Sequence, residues 1–145
     1  MAQLHEQLMY NGSEEGPYED KIIAYKDYLE AAQLPELTGI AARVMDSLTQ
    51  RVGSSGLSAT HIAADLNISK RTLQRRLQQQ GLSFTELRDR ARFNYVLPLL
   101  VANELSIDRL SAMLDFSDRT SFTLAFKRWT GLSPNTFRKL FRDYV

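Results

Sequence analysis

The chain has no cysteine, a single tryptophan and only two histidines, His5 and His61. Absent thiols exclude disulfides and thiolate metal sites, and two distant imidazoles make no ligand cluster, so no metal or other cofactor is expected. No apolar run approaches the roughly 18 to 20 residues that a bilayer-spanning helix needs. The start Met1-Ala2-Gln3-Leu4-His5-Glu6 has neither a basic lead nor an apolar core. A cytoplasmic location without a membrane partner is the expectation. Strand-like alternation is missing, as are a glycine-rich phosphate loop and a serine or cysteine nucleophile signature. The neighbouring carboxylates Glu86 and Asp89, or Asp115 and Asp118, are explained by caps and surface charge, and no enzymatic activity is expected.

What remains is ordinary globular composition: 145 residues, 43% hydrophobic and 24% charged, enough for one or two small cores. A net charge of +1 hides a division, because residues 1 to 56 carry four basic against nine acidic side chains and residues 57 to 145 carry fourteen against eight. Such asymmetry suits a chain of which one part meets phosphates. Taken alone, an uneven solvated surface explains it equally well.

A repeat breaks that tie. Gly81-Leu82-Ser83-Phe84-Thr85-Glu86-Leu87-Arg88 returns as Gly131-Leu132-Ser133-Pro134-Asn135-Thr136-Phe137-Arg138, and each follows a stretch that reads as two short helices joined by a tight turn. In the first copy Ile62, Ala63, Leu66 and Ile68 precede Ser69; in the second Leu110, Ala112, Leu114 and Phe116 precede Ser117. The small pairs Ala63-Ala64 and Ser111-Ala112 allow close helix crossing. Ser69 and Ser117 stand where a hydroxyl would cap a new helix. Leu73 with Leu77, and Phe122 with Phe126, then fix the inward face at i, i+4 spacing. The copies drift by a residue or two, which points to insertion at a turn.

Other segments are helical in period. Met1 to Pro17 offers turn signals and a frayed start. Tyr18 to Gln33 carries the stripe Ile22, Tyr25 and Leu29, broadened by Ile23 and Tyr28. Leu37, Ile40, Ala41, Val44, Met45 and Leu48 predict a second helix that closes at Gly53-Ser54-Ser55-Gly56. Phe84 to about Glu104 reads as a long connecting helix, opened by Ser83 with Glu86 in capping-box spacing. Pro98 contradicts it locally, at a cost of about 3 kcal/mol in an intact helix, so the helix is expected to kink there, as a hinge, or to end early. The fold class is all-α: two helix-turn-helix subdomains joined by a long connecting helix, with one or two extra N-terminal helices. The expected divisions are 1–36 as an extension, 37–83 and 105–145 as the two subdomains, and 84–104 as the connector.

With Leu73 and Leu77 turned inward, Lys70, Arg71, Gln74, Arg75 and Gln78 project outward. Arginine offers paired donors to guanine and glutamine pairs bidentately with adenine, so Arg71, Gln74 and Arg75 are the base-contact candidates, with Lys70 and Arg76 at phosphates or at the edge. Thr72 completes the expected DNA-facing set of this helix. In the second copy the outward side is Arg119, Thr120, Thr123, Leu124 and Lys127, a weaker reader. An exposed leucine there leaves three readings open: contact with thymine methyls, contact with another protein, or the plain loss of a phosphate contact. Phe122, Phe126 and Trp129 are read as core aromatics, not as a base-stacking platform.

Ser69 through Leu77, and Leu114-Asp115-Phe116-Ser117 through Phe126-Lys127-Arg128-Trp129-Thr130-Gly131-Leu132-Ser133-Pro134, closely resemble the DNA-binding domain of the AraC/XylS family of bacterial transcription regulators. The resemblance covers about Leu37 to Arg142. It implies seven helices, a recognition helix of each subdomain in a major groove, double-stranded DNA as partner, RNA polymerase as a further one, and an activating role. Family members usually carry this domain behind a sensing or dimerising domain, and residues 1 to 36 are too few for one. Most relatives have arginine where this chain has Leu124. Asp115 replaces a glycine usual in the turn, and a tolerated left-handed residue is expected there. The runner-up is a protein-interaction or homodimerisation module using Leu124 or the Ile22, Tyr25 and Leu29 stripe.

Overall fold

The computed structural model describes residues 17–102 and 104–142, with side chains from Ala24 onward within that span. The start expected to fray, residues 1–16, lies outside the described residues, as do Tyr144 and the side chains of Ile22 and Ile23. Among the described residues there are eight helices and no strand: α1 (Pro17–Ala31), α2 (Gly39–Arg51), α3 (Ala59–Asp65), α4 (Lys70–Gln79), α5 (Phe84–Ala102), α6 (Ile107–Met113), α7 (Arg119–Thr130) and α8 (Pro134–Phe141). The all-α expectation holds. Two units divide the chain. The first comprises Leu34–Tyr95 and Met113–Asp115; the second takes the described residues up to Gln33, Val96–Ala112, and those from Phe116 onward.

In the first unit, α2, α3 and α4 bury Val44, Leu48, Ile62, Leu73 and Leu77 completely, with Leu57 and Phe93 beside them in the core. Each such side chain contributes about 1.5–3 kcal/mol relative to exposure. The start of α2 is closed by a residue distant in sequence: Thr38 makes no side-chain cap, and the Gln80 amide accepts from the Ala41 N–H (3.0 Å) and donates to the Thr38 carbonyl (3.0 Å). Past its other end Gly53 adopts φ 97° and its N–H donates to the Met113 carbonyl (2.9 Å). Only glycine fits there, since a Cβ would fall on the Tyr95 phenol. Ser58 caps α3, its hydroxyl accepting from the His61 N–H (3.2 Å).

Asp65, at the end of α3, ties that helix to α2: it accepts from Arg51 Nε (2.6 Å) and Nη2 (2.8 Å) and from the Ser47 hydroxyl (2.7 Å). The Arg51 bond first, and the Ser47 bond second, hold its carboxyl well below the usual carboxylate range. A group whose folded pKa is depressed stabilises the fold where it is ionised in both states, so this contribution is complete above the unfolded value of about 4 and drains as pH falls below it. Asp65→Asn is therefore expected to lower stability at neutral pH and to flatten the acid limb of the pH–stability curve below about pH 4. Denaturant melts at pH 7 and pH 3 check this, and an unchanged acid limb would refute the assignment.

The second unit is built on aromatics. Phe122, Phe126, Trp129 and Phe137 are buried, in edge-on or tilted contacts from 5.3 to 6.4 Å together with Phe116, as the sequence reading of a core expects. α1 lies on α8: Tyr25 stacks on Phe141 (5.7 Å), Tyr28 meets Phe137 edge-on (4.9 Å), and the Tyr28 hydroxyl donates to the Thr130 carbonyl (3.1 Å). The buried face of α1 thus runs through Tyr25 and Tyr28, with buried Ala32 just past its end, and Leu29 of the expected stripe is on the surface. α7 ends at Gly131 (φ 81°), whose N–H returns to the Lys127 carbonyl (2.7 Å), and Ser133 caps α8 with Pro134 in its first turn. Arg138 reaches back to the Leu100 (2.7 Å) and Leu105 (2.6 Å) carbonyls and closes the end of α5.

Three local expectations change. α5 does not end early: Ser83 starts it, accepting from the Glu86 N–H (3.2 Å), and it continues through Pro98, which is on the surface, to Ala102. The unit boundary between Tyr95 and Val96 lies within the turn that Pro98 deprives of a backbone donor. Ala112 is exposed, and the small buried residue of that pair is Ser111, whose hydroxyl donates to the Asp118 carbonyl (2.9 Å). Ser117 does not cap α7; Asp118 does, one residue later, with its carboxylate accepting from the Ser121 N–H (2.7 Å).

Candidate nucleic-acid interface

Both helix-turn-helix turns are made the same way. In the first the Ile68 N–H donates to the Ala63 carbonyl (3.1 Å) around a left-handed Asn67 (φ 57°); in the second the Phe116 N–H donates to the Ser111 carbonyl (3.1 Å) around a left-handed Asp115 (φ 60°). Asparagine and aspartate tolerate that region better than most residues. Asp115 has a further task within the first unit. Its carboxylate accepts from the Leu57 N–H (2.8 Å), and Arg92 donates to the Leu114 (2.7 Å) and Asp115 (2.8 Å) carbonyls. Burial, and then the nearby Arg88 charge, bring the Arg92 guanidinium down to about 10, so it stays charged at neutral pH.

From its turn α4 starts on Ser69, which accepts from the Thr72 N–H (3.0 Å) and donates to the Thr72 hydroxyl (2.9 Å). That bond holds Thr72, half-buried, in the first turn, whereas Lys70, Arg71, Gln74, Arg75, Arg76 and Gln78 are all exposed. The centre of the face opposite Leu73 and Leu77 is Arg71, Arg75 and Gln78, with Gln74 at its flank. Lys-Arg-Thr-Leu-Gln-Arg-Arg-Leu-Gln-Gln contains four cations and no carboxylate. Such a face attracts a polyanion and carries the paired donors and amides that base edges accept.

α7 presents a different surface. Arg119, Thr120, Leu124 and Lys127 are exposed and Thr123 is half-buried. Arg119 shares its charge with Asp108 across a loose pair (4.0 Å) between two exposed groups. Arg128 adds a surface cation that the sequence reading did not single out. Asp118 places an anion at the start of the helix where α4 has a neutral serine, and its bonds with Ser121 hold its carboxyl below the usual range. An aspartate next to Ser117, equal to serine in cap preference, was the available signal for it.

Two helix-turn-helix elements, each followed by a capped helix and each with an outward polar second helix, define a double helix-turn-helix protein. Residues 46–140 match a helix-turn-helix domain family. The chain is 33% identical, over 73% of its length and 32% of the relative's, to the HTH-type transcriptional regulator VqsM of Pseudomonas aeruginosa. It is 28% identical, over 57% of its length and 31% of the relative's, to the transcriptional activator AggR of Escherichia coli. The solved C-terminal domain of AraT, a response regulator from Geobacillus stearothermophilus, superposes with a TM-score of 0.62 at 29% identity, over 72% of this chain and 88% of that one. The chain belongs to the AraC/XylS family of helix-turn-helix regulators. It spans about a third of the length of these curated relatives.

Proposed function

We propose that this chain binds double-stranded DNA in a sequence-specific manner and acts as a transcription activator, with α4 and α7 entering successive major-groove faces along one side of the duplex. The observation that carries this reading is the α4 face, in which Arg71, Gln74, Arg75 and Gln78 stand exposed with no carboxylate in the helix. Arg71, Gln74 and Arg75 are assigned to base edges, Lys70 and Arg76 to phosphates, and Thr72 to the first-turn approach. On α7 the assigned set is Arg119, Thr120, Thr123, Leu124 and Lys127. The four cations of α4, against three on α7 offset by Asp118, favour α4 as the principal reader. Activation is the role of the relative AggR, a transcriptional activator, and RNA polymerase is the corresponding partner.

Sites selected from random duplexes should contain two short boxes about one helical turn apart. On such a site Arg75→Ala is expected to weaken binding about 5- to 150-fold, the range of one lost base pairing, with unchanged far-ultraviolet circular dichroism. Affinity should fall steeply with salt as phosphate counterions are displaced. Retained discrimination between selected and scrambled duplexes in Arg75→Ala would remove α4 from the reading role.

A further inference from the structure

We infer that Leu124 reads the C5-methyl group of thymine in the box that α7 enters, an inference that rests on the DNA-binding reading above. Its placement comes from packing. Phe122, Ala125, Phe126 and Trp129 are buried along one side of α7, and Thr120, Leu124 and Lys127, at steps of four and three, form the centre of the opposite side. Leu124 is 57% exposed, well beyond Leu29 at 37% and Leu34 at 36%. Aligning the inward pairs Leu73 and Leu77 with Phe122 and Phe126 puts Leu124 where α4 has Arg75, at the middle of the reading face.

The surroundings select the occupant. The carboxylates Asp118 and Asp108 lie at the start of the helix, where Asp108 pairs with Arg119, and beyond them Lys127 and Arg128 place positive charge along it with no carboxylate inside the helix. One leucine between threonines and a lysine is far smaller than the roughly 800 Å² that each partner contributes to a standard protein interface. A cationic surface with one apolar point complements a polyanion with isolated apolar points. The major groove of DNA is such a surface, and the thymine methyl is its apolar group. RNA fits poorly, because uracil lacks the methyl and the A-form major groove is too deep and narrow for side chains. The half-buried Thr123 and exposed Thr120 flank the same spot with methyl and hydroxyl groups that tolerate either base edge.

The test uses the full chain and its selected duplex. Each thymine of the α7 box is replaced singly by deoxyuridine, and affinity is measured by fluorescence anisotropy for the wild type and for Leu124→Ala. One position should cost the wild type about fourfold, the equivalent of burying one methyl. Leu124→Ala should bind the thymine duplex weaker by a similar factor and be indifferent to that replacement. No responsive position in the wild type, a response that survives in Leu124→Ala, or selected boxes without thymine would each overturn the inference. The two readings fail separately: a wild type that binds no duplex removes both, whereas tight binding that Arg75→Ala weakens and deoxyuridine leaves alone removes only the role of Leu124. Because Leu124 lies on the surface, its replacement leaves the dichroism spectrum unchanged.

Discussion

Phe137→Ala loses about 3–5 kcal/mol of stability, the range for removing a fully buried aromatic ring, and melts on the order of 10 °C below the parent chain. The ring is inaccessible to solvent and meets Tyr28 at 4.9 Å, Phe126 at 5.3 Å and Phe141 at 4.6 Å. Removing it opens a cavity at the point where α1, α7 and α8 converge, and it cancels three aromatic contacts, each worth about 0.5–1.5 kcal/mol beyond area burial. Trp129 and Phe126 line the same cluster, so the packing that presents the outer face of α7 loosens with it. Urea melts followed by near-ultraviolet dichroism and by Trp129 fluorescence measure the effect. A loss below about 1 kcal/mol would show that the aromatic cluster is not the centre of the second unit.

Arg92→Met costs about 3 kcal/mol or more, by a different route. The guanidinium is only 5% exposed and donates to two carbonyls at consecutive positions of the second helix-turn-helix turn. Methionine matches much of its volume but provides no donor, so the Leu114 and Asp115 oxygens lose charge-assisted bonds, and a buried acceptor without a partner costs about 1–3 kcal/mol. Asp115, held left-handed and bound to the Leu57 N–H, depends on the same local geometry. Arg92→Lys should fall between the two, since an ammonium lacks the planar fork that spans adjacent carbonyls. Chemical denaturation of the three proteins orders them, and equal stability of Arg92→Met and wild type would refute the role.

The parts of this fold that sequence reveals are those written in local chemistry. Ser69, Ser83 and Ser133 announce helix starts because a cap acts within three residues. Leu73, Leu77, Phe122 and Phe126 announce inward faces through spacing alone, and the outward residues of α4 follow by subtraction. Ser117 misled because Asp118 beside it is an equally good cap, and nothing local decides between neighbours. Pro98 left open whether its helix ends early, and the helix continues because the propensity penalty is outweighed by burial of Phe93, Val96, Leu97, Leu100 and Val101 on either side of it. Arg92, Gln80 and Arg138 were invisible for another reason: each serves backbone groups 22 to 42 residues away, and periodicity carries no information about long-range partners. Leu124 was legible as exposed, but only its alignment with Arg75 in packed helices gives that exposure a meaning.

The amide at the end of α4 also bears on how the first unit is born. As the chain leaves the ribosome, the first turn of α2 emerges without the group that will close it, because Gln80 is synthesised 39 residues after Ala41. That turn frays until α4 has formed and docked. The two helices therefore mature together as one cooperative foldon, and a nascent chain halted before Gln80 holds neither in finished form.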